Sequence, residues 1–256
     1  HQHRAAYDRF DTEYSNMKND PIGCSVQRIV MNADNKYLKE AKRIYTIADN
    51  VTRRMQRFNH ISARTLYHPC PDMEGFYADR YEDYILMPSR INITKRQMLA
   101  LEALVHSHSG IKLYVVGKAE AEYEKKRMLA FIKEHNLEHR VRFFDYVSQE
   151  EKIRLYANSR AVLFIPRDED YGYITLEAMA AGKAVITAAD SGGPLEFVVN
   201  GNTGIIAAPS AQSIAKAIDQ LAEDKNLAVR YGENGKKRLK DLNISWESVV
   251  KELTRP

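Results

Sequence analysis

Between Ile85 and Leu221, short apolar runs alternate with stretches whose apolar positions recur at helical spacing. Ile85-Leu86-Met87 opens the series as a strand, and a helix follows from about Arg96 with Met98, Leu101 and Val105 on one face. Lys112 to Val116 predicts a second strand ending at Gly117, and the charged stretch from Glu124 to Glu134 predicts a helix with Leu129 and Ile132 turned inward. Val141 to Phe144 reads as the third strand; Ser148-Gln149-Glu150-Glu151 is then a capping box that opens a helix carrying Ile153 and Tyr156. Ala161 to Ile165 and Ala184 to Thr187 are the fourth and fifth strands, separated by a helix that stops at Gly182, a residue suited to a left-handed cap. After the turn Asn200 to Gly204 come a short sixth strand, Ile205-Ile206, and a helix capped by Ser210 with Ile214, Ile218 and Leu221 inward. Such alternation predicts an α/β domain with a doubly wound parallel sheet. Ligands of such sheets bind outside the carboxyl ends of the strands, so the loops after Met87, Val116, Phe144, Ile165 and Thr187 are where chemistry is sought.

Before this series the pattern is shorter. A helix from about Val26 to Lys42 leads to a strand Arg43 to Thr46, a helix through Val51, Met55 and Phe58, and a strand Ala63 to Tyr67. That is one and a half strand-helix units, and Pro69, Pro71, Asp72 and Gly75 then predict a linker, so residues 1–75 are set apart from a domain over 76–225 and a closing segment 226–256.

Composition narrows the function classes. With 256 residues and 44% hydrophobic content the chain can bury a real core. No apolar run approaches the roughly 20 residues that cross a bilayer, and the polar start lacks a secretory signal. Cys24 and Cys70 make neither a disulfide framework nor a zinc cluster, which favours a reducing, cytoplasmic setting. Net charge is +4, with basic and acidic residues interleaved, so nucleic acid is not an expected partner. The first residue is His1 rather than methionine, which suggests a piece of something longer.

The most informative segment runs from Glu169 to Gly182. Gly172 lets the loop after the fourth strand turn tightly, and the helix that follows presents free N–H groups and a positive dipole end, a phosphate site. Glu177, about one turn into that helix, can accept both hydroxyls of a ribose, and Glu169 on the loop can reach a second polyol. Two carboxylates flanking an anion site suit a nucleotide sugar, whereas a bare phosphate needs neither. Taken singly, Glu169 reads more simply as a solvated loop residue and Glu177 as a helix-surface charge. Arg90 and Lys95, after the first strand, sit at the same edge of the sheet, as two cations facing a diphosphate should.

The pair Glu169 and Glu177 with seven residues between them, Gly172, and the run Leu176 to Gly182 resemble the signature of family-four retaining glycosyltransferases. Ser89-Arg90 with Lys95, the strand ending Val116-Gly117, the Val141 to Val147 segment, Gly192 to Glu196 and Gly201 to Gly204 extend the resemblance over about Tyr84 to Tyr231. It implies a GT-B fold, with the Rossmann-like donor-binding domain present and residues 1–75 as the end of the acceptor-side domain. It implies that Arg90 and Lys95 bind the diphosphate and stabilise its departure, that Glu169 contacts the transferred sugar, and that Glu177 holds the ribose. Gly117, Gly172 and the backbone of Tyr173, Ile174 and Thr175 would complete the donor cradle, with Val147 near the base. Asp145 departs from the family's usual glycine, which weakens the base assignment. His1 and His3 lie near where members carry a sugar-facing histidine, and read equally as a terminus or tag remnant. Tyr231, Trp246, Val249 and Leu253 resemble the helices that cross back toward the first domain.

The resemblance implies a donor substrate but no cofactor or metal, Arg90 and Lys95 supplying the charge. The acceptor, whether glycan, lipid or small molecule, stays open, as does a peripheral membrane contact through the absent part. Two other readings stand beside the transferase. One is a nucleotide-sugar epimerase on the same fold, and the other is a donor-binding piece without catalysis, which this chain would resemble if its acceptor wall were missing.

Overall fold

In a computed structural model, residues 4–10, 12 and 20–255 are described, and the chain divides between Tyr67 and His68 into two units. His1 and His3 lie outside the described residues. In the smaller unit, α1 (Pro21–Tyr37) starts at Asp20, whose side chain accepts the Ile22 N–H. A 3₁₀ turn, β1 (Tyr45–Thr46), α2 (Asp49–Asn59) and β2 (Arg64–Thr65) follow, and β1 pairs in parallel with β2. Val51 and Met55 are buried on the inner face of α2, as their spacing predicts.

The larger unit is built on β3 (Tyr84–Pro88), α3 (Gln97–His106), β4 (Lys112–Val116), α4 (Glu122–Glu134), β5 (Val141–Phe144), α5 (Gln149–Asn158), β6 (Ala161–Leu163), α6 (Tyr173–Ala180), β7 (Val185–Ala188), the single turn α7 (Pro194–Phe197) and β8 (Gly204–Ala207), followed by α8 (Ala211–Glu223), α9 (Lys225–Asp241) and α10 (Trp246–Leu253). All six strands are parallel, in the order β5-β4-β3-β6-β7-β8. The chain grows outward from β3 to β5 and then returns to lay β6 on the other side of β3. That reversal opens a crevice between the carboxyl ends of β3 and β6, the place where doubly wound sheets bind ligands.

The central strands β3, β6 and β7 are buried along their whole length, so they read as continuous apolar runs rather than alternating ones. The core extends from Ile85 to Tyr231 and is closed by Leu101 and Leu104 of α3, Met128 and Ile132 of α4, and Ile214, Ile218 and Leu221 of α8. Two helix faces differ from expectation by one position: Val105 and Leu129 are exposed, while Leu104 and Met128 point inward. Each neighbour is also apolar, and burial selects the one whose Cβ falls on the sheet side.

The linker, expected through Gly75, belongs to the larger unit from His68 onward. Hydrogen bonds fix the chain on either side of it: His68 N–H donates to the Tyr171 hydroxyl at 3.0 Å, and beyond Gly75 the Asp79 N–H donates to the Ala157 carbonyl and Glu82 N–H to that of Asn158. α9 and α10 also stay with the sheet. α9 meets the end of α6 so closely that a Cβ on Gly232 would lie 1.9 Å from the Gly182 carbonyl oxygen, so only glycine fits. Lys183, fully buried beside that turn, donates to the Arg80 carbonyl at 2.6 Å, and its ammonium lies 3.4 Å from the centre of the Tyr81 ring. No helix among the described residues is long and apolar enough to cross a membrane.

Candidate functional site

The loop after β3 is shaped by Asn92, whose side-chain oxygen accepts from Lys95 N–H at 3.1 Å and Thr94 Oγ1 at 2.8 Å. The resulting 3₁₀ turn, Ile93–Lys95, ends at Arg96 in the left-handed region, where α3 starts. Lys95 is thereby turned across the crevice, where its ammonium pairs with the Glu169 carboxylate from the loop after β6 and lies 5.4 Å from the centre of the Phe164 ring. Arg96 reaches further, to a two-pronged pair with Asp190 after β7 at 2.7 and 2.6 Å. Arg167 N–H donates to the Thr94 carbonyl at 2.8 Å, so the two banks are joined through backbone as well.

The loop carrying Glu169 is laid against the loop after β7. Glu169 N–H donates to the Ser191 carbonyl and the Gly193 N–H to that of Glu169, both at 2.8 Å. A Cβ on Gly193 would meet the Asp170 and Tyr171 carbonyl oxygens at 2.6 and 2.7 Å, so the contact needs glycine. Gly172, at φ +89°, then turns the chain into α6, and no side chain caps that helix. The first-turn N–H groups of an α-helix have no acceptor within the helix, so an uncapped start of this kind offers them to an anion. Tyr173 is exposed and Ile174 half-buried at this start, while Thr175 is buried with an unpartnered hydroxyl.

Glu177 is not a solvated helix-surface charge. It is 7% exposed and accepts from Lys152 Nζ at 2.8 Å and from the Tyr156 hydroxyl at 2.6 Å. Its two partners come from α5, immediately beyond the loop that carries half-buried Val147. Asp145 in that loop is paired with Lys125 at 2.6 Å.

Arg90 occupies a different position from Lys95. Its side chain is 72% exposed and pairs with Glu120 after β4 at 2.6 Å. The loops after β3 and β4 are locked together there, because a Cβ on Gly117, at φ +145°, would lie 2.2 Å from the Ser89 carbonyl oxygen. Gly117 therefore has a packing role whatever else it does. Sequence reasoning missed Arg96, Asp190, Lys152 and Tyr156. Arg96 was signalled by standing next to Lys95, and Asp190 by its place after the fifth strand. Nothing in the spacing of Lys152 and Tyr156 announces Glu177 as their partner.

The family described as "Glycosyl transferases group 1" matches residues 76–238. The human "Alpha-1,3/1,6-mannosyltransferase ALG2" is 30% identical over 67% of this chain and 44% of its own length, and its Dictyostelium discoideum counterpart is 39% identical over 43% and 26%. The chain thus spans less than half the length of these relatives. Among solved structures, Anabaena Alr3699/HepE in complex with UDP and glucose superposes with a TM-score of 0.78 over 89% of this chain and 66% of that one, at 20% identity, which speaks for the fold. With a match that runs from just beyond the linker into α9, and with the GT-B likeness of its sheet, the chain belongs to the glycosyl transferases of group 1.

Proposed function

We propose that the chain carries the donor side of a glycosyltransferase that moves a hexose from a nucleotide-diphosphate sugar to an acceptor with retention of configuration. The observation that carries this reading is the meeting of Lys95 and Glu169 across the β3–β6 crevice, beside the uncapped start of α6. In this mechanism the diphosphate sits on the N–H groups of Tyr173 and Ile174, Lys95 stabilises the charge that builds as it leaves, and Glu169 accepts hydroxyls of the sugar. Arg90 exchanges Glu120 for a phosphate oxygen. Glu177 holds the ribose, and Val147 lies near the base. The departing diphosphate itself stays on the face where the acceptor attacks, so positioning replaces a protein nucleophile. Mannose transfer by the ALG2 relatives makes a mannosyl donor the first to try.

Calorimetric titration with UDP, GDP and ADP, each against its free nucleoside, tests this. Lys95→Ala should weaken the best nucleoside diphosphate by about 1.5–3 kcal/mol, the range for hydrogen bonds to charged groups, and leave the nucleoside unchanged. Equal weakening of both, or of neither, would refute the assignment.

A further inference from the structure

α5 brings two side chains onto one carboxylate. Lys152 and Tyr156 are one helical turn apart and share a face, and each holds a different oxygen of Glu177. The clamp is itself supported from outside α5. The Phe76 ring meets Tyr156 edge-on, with centres 5.3 Å apart, and lies 5.4 Å from the Lys152 ammonium. Tyr156 is fully buried, and burial together with the neighbouring carboxylate holds its phenol well above the ordinary range, so it keeps its proton and donates.

Left alone, a glutamate carboxylate turns freely about its last torsion. Two vicinal hydroxyls demand one orientation of it. Each carboxylate oxygen accepts two hydrogen bonds, so with one taken on each by Tyr156 and Lys152, one remains on each and its direction is set. Lys152 also offsets negative charge that would otherwise stand close to an anionic diphosphate. Resting on the reading of Glu177 as the ribose acceptor, the structure assigns Lys152 and Tyr156 as positioning residues that make the donor site selective for ribose over 2′-deoxyribose. A site built to bond a hydroxyl rejects the analogue without it, because its own polar groups are left unpaired. A carboxylate free to turn loses that discrimination.

The test compares the tightest of UDP, GDP and ADP with its 2′-deoxy form by calorimetry. The unaltered chain should prefer the ribose form by about tenfold or more, the worth of one hydrogen bond to a charged group. Tyr156→Phe and Lys152→Met should each bring the ratio toward one, Tyr156→Phe with the deoxy form binding as before and Lys152→Met with both forms also weakened by the lost charge, and Lys152→Arg should restore the ratio. A role confined to packing would weaken both ligands alike and leave the ratio intact, which would overturn the proposal. It is overturned equally if Glu177→Gln abolishes the ratio and the α5 variants do not. If Glu177→Gln also leaves the ratio intact, the ribose reading itself fails and the proposal with it. Should Tyr156→Phe not fold, Lys152→Met and Lys152→Arg decide, since that side chain is partly exposed.

Discussion

Lys95 and Glu169 answer each other across the crevice, and this pairing bears on ligand choice. On the proposed reading, a nucleoside diphosphate would draw Lys95 away and leave the carboxylate beside a phosphate, whereas a nucleotide sugar would give it hydroxyls in return. Glu169→Gln should therefore narrow the preference for nucleotide sugar over bare diphosphate by roughly tenfold, chiefly by tightening the diphosphate. Competitive titration of the two ligands checks this, and an unchanged preference would count against the role. Lys183 makes a separate prediction about stability. Burial lowers its pKa from 10.5 to about 7. Between those values the unfolded chain binds a proton that the folded chain does not, so stability should rise with pH across that window. Lys183→Met removes the difference. Urea midpoints measured from pH 6.5 to 9.5 should show the unaltered chain gaining on the variant as pH increases, and a constant gap would contradict the lowered pKa.

At the scale of elements, the strands and caps were legible because each rests on local chemistry. The expected Lys112 to Val116 and Val141 to Phe144 strands have those bounds, and Ser148 caps α5 through the Glu151 N–H as the box predicts. Helix faces were less so: in α3 and α4 apolar residues adjoin, and only packing against the sheet chooses Leu104 over Val105 and Met128 over Leu129. Of the candidate site, the loop positions followed from strand ends. The partner of each charge did not, since Lys95 and Glu169 are 74 residues apart and Arg96 and Asp190 are 94. The turn into α6 rests on one glycine at positive φ. Gly172→Ala would place a Cβ 3.0 Å from both Phe164 and Pro194 in a backbone region costly for alanine. It should lower stability by about 1–2 kcal/mol in chemical denaturation and weaken nucleoside diphosphate binding, while Ser148→Ala, costing about 1 kcal/mol, should leave binding nearly intact. Equal effects on binding would mean that α6 does not present the phosphate site.

For the molecule as a whole, the division between Tyr67 and His68 gives two units of unequal means. The apolar core runs from Ile85 to Tyr231, whereas the sheet of the smaller unit is two strands of two residues. The expected linker began at Pro69, close to the observed boundary, but the bonds that fix the chain on either side of it, His68 to Tyr171 and Asp79 and Glu82 to the end of α5, join residues too far apart for any local pattern to reveal. Residues 68–256 expressed alone should unfold in one transition and bind a nucleoside diphosphate as tightly as the full chain, with residues 20–67 exchanging their amide protons faster than the sheet in the full chain. Loss of binding in the shorter chain would show that the smaller unit contributes to the donor site. α6 spans only about 12 Å at 1.5 Å per residue, with Gly172 at one end and the Gly182–Gly232 contact just beyond the other. A rod that short has no slack. If α6 presents the phosphate site, α9 is the stop against which that site is gauged, and a methyl group added at Gly232 would be felt as a misfit of the nucleotide.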